Sequence, residues 1–339
     1  AVVHSDPEVS LKAAKKVKVS WKASEQKMDN ESIFKYLEDN ISRNRTFQEK
    51  GSLSEGKMNS ITVLESQYQD GYKAHAPMET HSATCYYEGE KLTIWTSSQT
   101  PFGTQDQLAK ALEIPKENVH VKQIFIGGGF GGKIYNQQAI EAAIIAKICK
   151  KPVQLVWSRR EEFMYDKFRP AAVMNVVSGV DEKGKLNLWE FDIYCAGTRG
   201  TKLFYDVPNN RTRIFNDRDV HPFGTGAWRA PGNNSTTFAR ESHIDVTAFK
   251  AGIDSLEFRL KNLKSENMVA ALKLGADKFD WNRKKKEGHG YGISLGEDAG
   301  TSVAMIAEVH VDKETGIVTP IKVVCSQDMG QVVNPHGAT

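Results

Sequence analysis

Between Val119 and Lys133 an apolar run, Val-His-Val-Lys-Gln-Ile-Phe-Ile, stops abruptly in Gly-Gly-Gly-Phe-Gly-Gly-Lys. The run predicts a strand and the five glycines a loop. After them Ile140, Ile144 and Ile148, four residues apart, predict a helix with that face turned inward. Strand, glycine loop and helix in this order let a backbone come very close to an anion. Glycine has no Cβ to block the approach, its N–H groups can point outward, and a helix N-terminus adds a favourable field. The stretch therefore predicts an anionic cofactor before it says which one.

Three readings compete for the loop. Gly127, Gly129 and Gly132 satisfy the dinucleotide pattern G-x-G-x-x-G, with residues 153–157 as a possible next parallel strand. That pattern wants an acid near the end of the next strand, where the chain has Ser158, Arg159 and Arg160 before Glu161. Gly127, Gly132 and Lys133 begin a P-loop, but Ile134 stands where a hydroxyl should hold magnesium, which counts against a nucleotide triphosphatase. The third reading is a tight turn with no ligand. The loop alone does not decide.

Composition narrows the classes. A chain of 339 residues, 40% hydrophobic, can bury a sizeable core and fits two or more domains. A net charge of +3 is too small for this length to argue for nucleic acid, and Lys284, Lys285 and Lys286 read as a solvated loop. No apolar run is long enough to span a bilayer. Cys85, Cys149, Cys195 and Cys325 are scattered without a C-x-x-C pair, so no iron–sulfur or structural zinc site has a local ligand set. Cys149 is expected near the buried face of the helix after the loop. If the protein passes electrons on, the relay lies on another chain.

Five segments in order carry a resemblance. They are His75-Ala76-Pro77-Met78-Glu79-Thr80, Ser98-Gln99-Thr100, the glycine loop, Trp228-Arg229-Ala230-Pro231-Gly232 and Glu241-Ser242-His243-Ile244-Asp245. With this ordering and spacing the chain resembles the molybdenum-binding subunit of the xanthine dehydrogenase/aldehyde oxidase family. The Trp-Arg-x-x-Gly segment points to the isoquinoline 1-oxidoreductase β-subunit branch. The resemblance implies an α+β fold of mixed sheets with packed helices, the truncated molybdenum-cofactor-binding domain of that family. It implies a small α/β remnant over residues 1–60, a first cofactor-binding subdomain over 61–285 and the start of a second over 286–339. The implied activity is hydroxylation of an aldehyde or N-heteroaromatic carbon with water as oxygen source. The implied cofactor is molybdenum–molybdopterin in its cytosine dinucleotide form. The implied partners are a small [2Fe–2S] subunit and the remainder of the molybdenum-binding polypeptide.

The resemblance also assigns residues. Gln99 would reach a non-protein ligand of the molybdenum, a role that suits a neutral amide able to donate without competing as a metal ligand. Gly128, Gly129, Phe130 and Gly131 would lie against the metal end of the pterin, with Phe130 either excluding water there or filling the gap left by small neighbours. Arg229, taken alone, is a surface ion-pair partner. Beside Trp228 it reads as a buried, positioned guanidinium that orients a carbonyl or ring nitrogen. The metal is held through the pterin, with no protein ligand, and His75, His81, His221 and His243 are expected to be structural. Purine-oxidising members have Glu where this chain has Ile134, which turns the reading toward less polar heterocycles or aldehydes.

Glu79, Glu241 and Glu308 do not match the family's proton-abstracting Glu, which is expected beyond Asn334-Pro335. Elsewhere the patterns predict a strand over 17–21, a helix capped by Asn30 with Ile33 and Leu37 inward, and an exposed loop over 44–59. They predict paired strands at 84–87 and 92–95, a helix capped by Thr104, a hairpin from 173–180 and 186–193, and an irregular loop over 203–226. Helices at 235–250, 254–263 and 268–274, the last ending at Gly275, precede strands at 303–311 and 317–324. The 339 residues purified alone are expected not to turn over an aldehyde or heterocycle. Dye-acceptor assays on this chain and on the full-length protein with its partner make the comparison, and equal multiple-turnover rates would contradict it.

Overall fold

The computed structural model describes residues 1–22, 28–217 and 219–338. The chain begins with α1 (Pro7–Ala14), α2 (Ser32–Asn40), β1 (Asn44–Lys50), α3 (Leu53–Met58) and β2 (Thr62–Asp70). Then follow β3 (Ser82–Glu88), β4 (Lys91–Thr96), α4 (Pro101–Leu112), β5 (Val119–Lys122), α5 (Gln137–Cys149), β6 (Val153–Val156) and α6 (Arg159–Tyr165). The remainder runs β7 (Ala172–Val180), β8 (Leu186–Tyr194), β9 (Asn209–Phe215), α7 (Asn233–Lys250), α8 (Ser255–Asn262), α9 (Glu266–Phe279), β10 (His289–Asp298), β11 (Thr301–Val311) and β12 (Val318–Asp328). The fold is α+β with mixed sheets. It divides into two compact units that alternate along the chain.

The first unit comprises residues 1–32, 73–169 and 223–229. Its sheet has the order β5-β4-β3-β6, with β4 and β5 parallel and the other pairs antiparallel. The expected hairpin forms between β3 and β4. Ala83, Cys85, Leu92 and Ile94 turn inward from these strands, as a two-residue alternation dictates, against Leu108 and Leu112 of α4. Helix α4 starts at Pro101, where the missing N–H costs nothing, with Thr100 as cap. Thr104 is therefore not the cap. It is buried in the first turn, its hydroxyl 2.8 Å from Ser98 Oγ.

Helix α5 corrects a second expectation. Ala139, Ala142, Ala143 and Ala146 are buried, while Ile144 and Ile148 are 41% and 75% exposed and Cys149 is only half-buried. Both sets recur at helical spacing, so periodicity could not choose between them. Alanine lets the helix axis lie closer to β3, and tight packing decides the face. The dinucleotide reading fails here too. It needs β6 beside β5, and β6 lies on the opposite edge of the sheet.

The second unit comprises residues 33–72, 170–222 and 230–339. Its five-stranded sheet runs β1-β9-β8-β7-β2, with only β8 and β9 parallel, and β10-β11-β12 form an antiparallel sheet. Met174, Val176, Trp189, Phe191, Ile244, Phe258, Leu272 and Ile306 belong to one core. Ile33 and Leu37 of α2 are buried as expected, and Asp254 caps α8. The polar stretch 44–59, expected as a loop, holds β1 and α3, and the 203–226 loop holds β9. Edge strands carry few apolar residues, so β1 gives little signal until β9 pairs with it. Residues 17–21 form no strand and are exposed. Gly275 does not end α9 but sits within it, where a Cβ would stand 2.7 Å from Ser326 Oγ.

The α5 packing makes a direct test. Ala143→Leu should cost about 1–3 kcal/mol by overpacking, whereas Ile148→Ser should stay within about 0.5 kcal/mol of wild type in denaturant unfolding.

Candidate functional site

The glycine loop lies in the first unit and is fastened from two sides. Strand β5 ends at Lys122, four residues before the apolar run ends at Ile126, and Phe125 is fully exposed. Gly128, Phe130 and Gly131 have φ of +93°, +54° and +112°. The left-handed value at Phe130 costs about 1–3 kcal/mol and persists because its surroundings hold it. A short turn, Gly132–Ile134, separates the loop from α5, so the α5 N-terminus does not abut it as expected.

Glu79 fastens the first side. Its N–H donates to the Gly127 carbonyl at 3.1 Å, and its carboxylate accepts from Gly127 N–H at 2.8 Å and from Lys133 Nζ at 2.7 Å. Lys133 is fully buried, so it is committed to Glu79 rather than to a phosphate. Burial pushes the Glu79 carboxyl up, but Lys133 and the Gly127 N–H outweigh it and hold the group below the usual carboxylate range. Arg159, in the expected place of a ribose-binding acid, donates to the carbonyls of Pro77 and of Met78, the latter at 3.2 Å.

Gln99 fastens the second side. Gln99 N–H donates to the Lys133 carbonyl at 2.8 Å, and Gly131 N–H donates to Gln99 Oε1 at 2.9 Å. Because an N–H must meet an oxygen, this bond fixes which way the amide is turned. Gln99 Nε2 and the N–H groups of Gly128, Gly129 and Phe130 have no acceptor among the described residues.

Arg229 reaches the same loop through its backbone, whose N–H donates to the Phe130 carbonyl at 2.8 Å. Gln99, the loop and Arg229 are thus brought together. The Arg229 side chain is exposed, not buried as expected, and Trp228 is anchored instead. Its indole N–H donates to the Ala74 carbonyl at 3.2 Å, and Arg169 lies over its ring. The Phe130 ring is 43% exposed, so it does not fill an interior gap.

The glycines are required chiefly by the protein itself. A Cβ at Gly127 would stand 2.5 Å from Glu79 Cβ, one at Gly129 2.5 Å from Gln99 Oε1, and one at Gly131 2.0 Å from the Ala227 carbonyl oxygen. Beneath Gly131 and Gly132 lies His75, buried, with Nδ1 2.9 Å from Asp166 Oδ2 and Nε2 2.8 Å from Ala227 O. Burial lowers its pKa, but the bonds to Asp166 and Ala227 outweigh this and raise it. Asp166 and Ala227 were missed, since they meet His75 across 91 and 152 residues. Nothing local marks them.

His81, Glu162 and Asp166 bring possible ligand atoms within 4.8 Å of one another. These atoms already bond each other or their neighbours, His81 to Glu162 at 3.1 Å and Asp166 to His75. In the second unit Glu241 pairs with Arg240 and Arg259, Glu308 with Arg283 and His289, and His243 is held neutral by burial, at a pKa of about 4. Glu79, Glu241 and Glu308 are therefore all engaged by cations.

Glu79→Gln should destabilise the chain by about 2–3 kcal/mol above pH 6, because Lys133 is left buried without its counter-charge. The depressed Glu79 pKa means that the wild-type advantage is present above the unfolded carboxyl pKa and lost as pH falls through the folded one. The two unfolding curves should converge in acid.

Residues 36–263 match the model of the molybdopterin cofactor-binding domain. The chain is 30% identical to the molybdenum-binding subunit PaoC of an aldehyde oxidoreductase from Escherichia coli K12, over 78% of this chain and 40% of that protein. It is 26% identical to the isoquinoline 1-oxidoreductase β subunit of Brevundimonas diminuta, over 99% of this chain and 47% of the other. Among solved structures, quinoline 2-oxidoreductase from Pseudomonas putida 86 superposes with a TM-score of 0.65 at 20% identity, covering 83% of this chain and 43% of that one. The chain spans less than half the length of these proteins. A matching domain model over two thirds of the chain makes it a member of the molybdopterin cofactor-binding domain family.

Proposed function

We propose that the protein takes part in molybdenum–molybdopterin-dependent hydroxylation of an aldehyde or N-heteroaromatic carbon, with water as oxygen source. The electrons pass to a separate [2Fe–2S] subunit, and the cofactor is the cytosine dinucleotide form. The family supports the cofactor class, and the relatives that act on aldehydes and isoquinoline support the substrate class. In the full polypeptide, residues 1–60, 61–285 and 286–339 are assigned to three successive domains of the resembled enzymes.

The cofactor, when bound, supplies the two-electron oxidation. The residues present fit such a group, because three consecutive N–H groups at Gly128, Gly129 and Phe130 face no protein acceptor among the described residues. Successive N–H groups on backbone that switches to positive φ, as at Gly128 and Phe130, form an anion-binding concavity. The observation that carries the reading is the Gln99 amide. Its oxygen is pinned by Gly131 N–H, leaving the NH2 to donate to an oxygen of the bound centre. Phe130 shields that side from water. Arg229 orients the substrate carbonyl or ring nitrogen with its guanidinium, while its backbone ties it to Phe130. Ile134 favours an apolar substrate edge over a purine.

The test uses the full-length polypeptide with its partner. Denaturation should release molybdenum, and acid hydrolysis of the extracted pterin's pyrophosphate should then yield cytidine monophosphate in about equal amount. Gln99→Ala should keep the metal and lower kcat by roughly 100–1000-fold, the range for one removed transition-state donor. Arg229→Lys should raise KM as well as lower kcat, since an ammonium lacks the planar fork. Absence of molybdenum from the purified wild type would overturn the reading.

A further inference from the structure

His75 has a proton count that the chemistry of its neighbours fixes. Nε2 faces the Ala227 carbonyl, which can only accept, so Nε2 carries a hydrogen. Nδ1 faces Asp166 Oδ2 at 2.9 Å, and two lone pairs at that distance would repel, so a second proton lies between them. Asp166 Oδ1 is meanwhile occupied by the Lys167 N–H at 2.7 Å, which stops the carboxylate from turning away. The His75 side chain is fully buried and that of Asp166 is 6% exposed.

The ring also has a mechanical place. Gly132 and Gly131 lie directly on it, with their Cβ positions 2.9 Å from its Cγ and 3.3 Å from its Nε2. Ala227 O, which Nε2 holds, stands two residues before the N–H that binds the Phe130 carbonyl. The imidazole therefore supports the loop from below and fixes the segment that closes on it from the side.

We propose that His75 is a positioning residue for the cofactor loop, and that it joins Gly131–Gly132 to the Ala227–Arg229 segment only while the His75–Asp166 pair keeps its second proton. The proposal rests on reading the loop as the cofactor site. From α6 and its end, Asp166 and Glu162 act on the ring, both favouring its proton. Gly131, Gly132 and Ala227 bring no charged side chain against it. The folded-state pKa is raised, so the stabilisation is complete below the unfolded value of about 6.5 and is lost as pH rises through the folded one. Deprotonation leaves one ring nitrogen bare, Nδ1 against the carboxylate or Nε2 against the Ala227 carbonyl, and that contact must part.

Asp166→Asn reverses the sign. The amide oxygen of that variant can still accept from Lys167 N–H, and its NH2 can donate to Nδ1 of a neutral ring, so the geometry is kept without the second proton. In the complete enzyme, wild-type kcat should fall on the alkaline side while bound molybdenum stays constant. D166N should lack that alkaline fall and lose activity in acid instead, where the ring would gain a proton that an amide NH2 cannot accept. His75→Phe should lose about tenfold or more where the wild-type pair is protonated, with both acceptors unmet, and the gap to wild type should narrow on the alkaline side. Melting temperature against pH, for wild type and D166N, reads the clamp without reference to the cofactor and should show the same reversal. Parallel melting profiles, or superimposable activity profiles at equal molybdenum content, would overturn the proposal. Molybdenum-free wild type with reversed melting profiles would overturn only the cofactor reading.

Discussion

The first unit depends on how closely one stretch of backbone can lie against another. The Ala227 carbonyl occupies almost the position that a side chain at Gly131 would need, 2.0 Å from an added Cβ. That approach lets one imidazole reach both the carbonyl and Asp166. It lets Gln99 Oε1 meet Gly131 N–H, and it brings Arg229 N–H to Phe130. Among the described residues the N–H groups of Gly128, Gly129 and Phe130 have no acceptor. The strained φ of Phe130 is held by these bonds and not by its own preference.

Charge is buried in both units, in the same manner. Lys133 is matched by Glu79, His75 by Asp166, and Arg259 by Glu241 and Asp245 together with the Ile293 carbonyl at 2.8 Å. His75 and Arg259 have further hydrogen bonds besides the opposite charge, the condition under which burial is tolerated, while Lys133 relies on its short contact with Glu79. Such pairs add little net stability over apolar replacements. They do penalise any arrangement that separates the partners, which suits a loop whose donors must keep fixed positions.

Much of the architecture was legible because it is local. The β3–β4 and β7–β8 hairpins follow from alternation around a short polar turn, and Ile33, Leu37, Leu108 and Leu112 follow from helical spacing. What was misread has one cause. β1 is a polar edge strand made by pairing with β9, β9 lies between β1 and β8, Thr104 and Gly275 owe their places to Ser98 and Ser326, and α5 chose its alanine face by how near the sheet it could lie.

For the site, the sequence by itself determined the components: five glycines, Gln99, the Trp228-Arg229 pair and the family to which they belong. Their convergence could be expected only through that resemblance. Tertiary structure alone decided why the glycines are there, that Arg229 enters through its backbone, that Lys133 is buried on Glu79, and that His75 rests between Asp166 and Ala227. Residue type and spacing encode what one segment can do. Exclusion of a Cβ, and the proton count of a ring between two acceptors, depend on atoms up to 152 residues away, and no local pattern carries them.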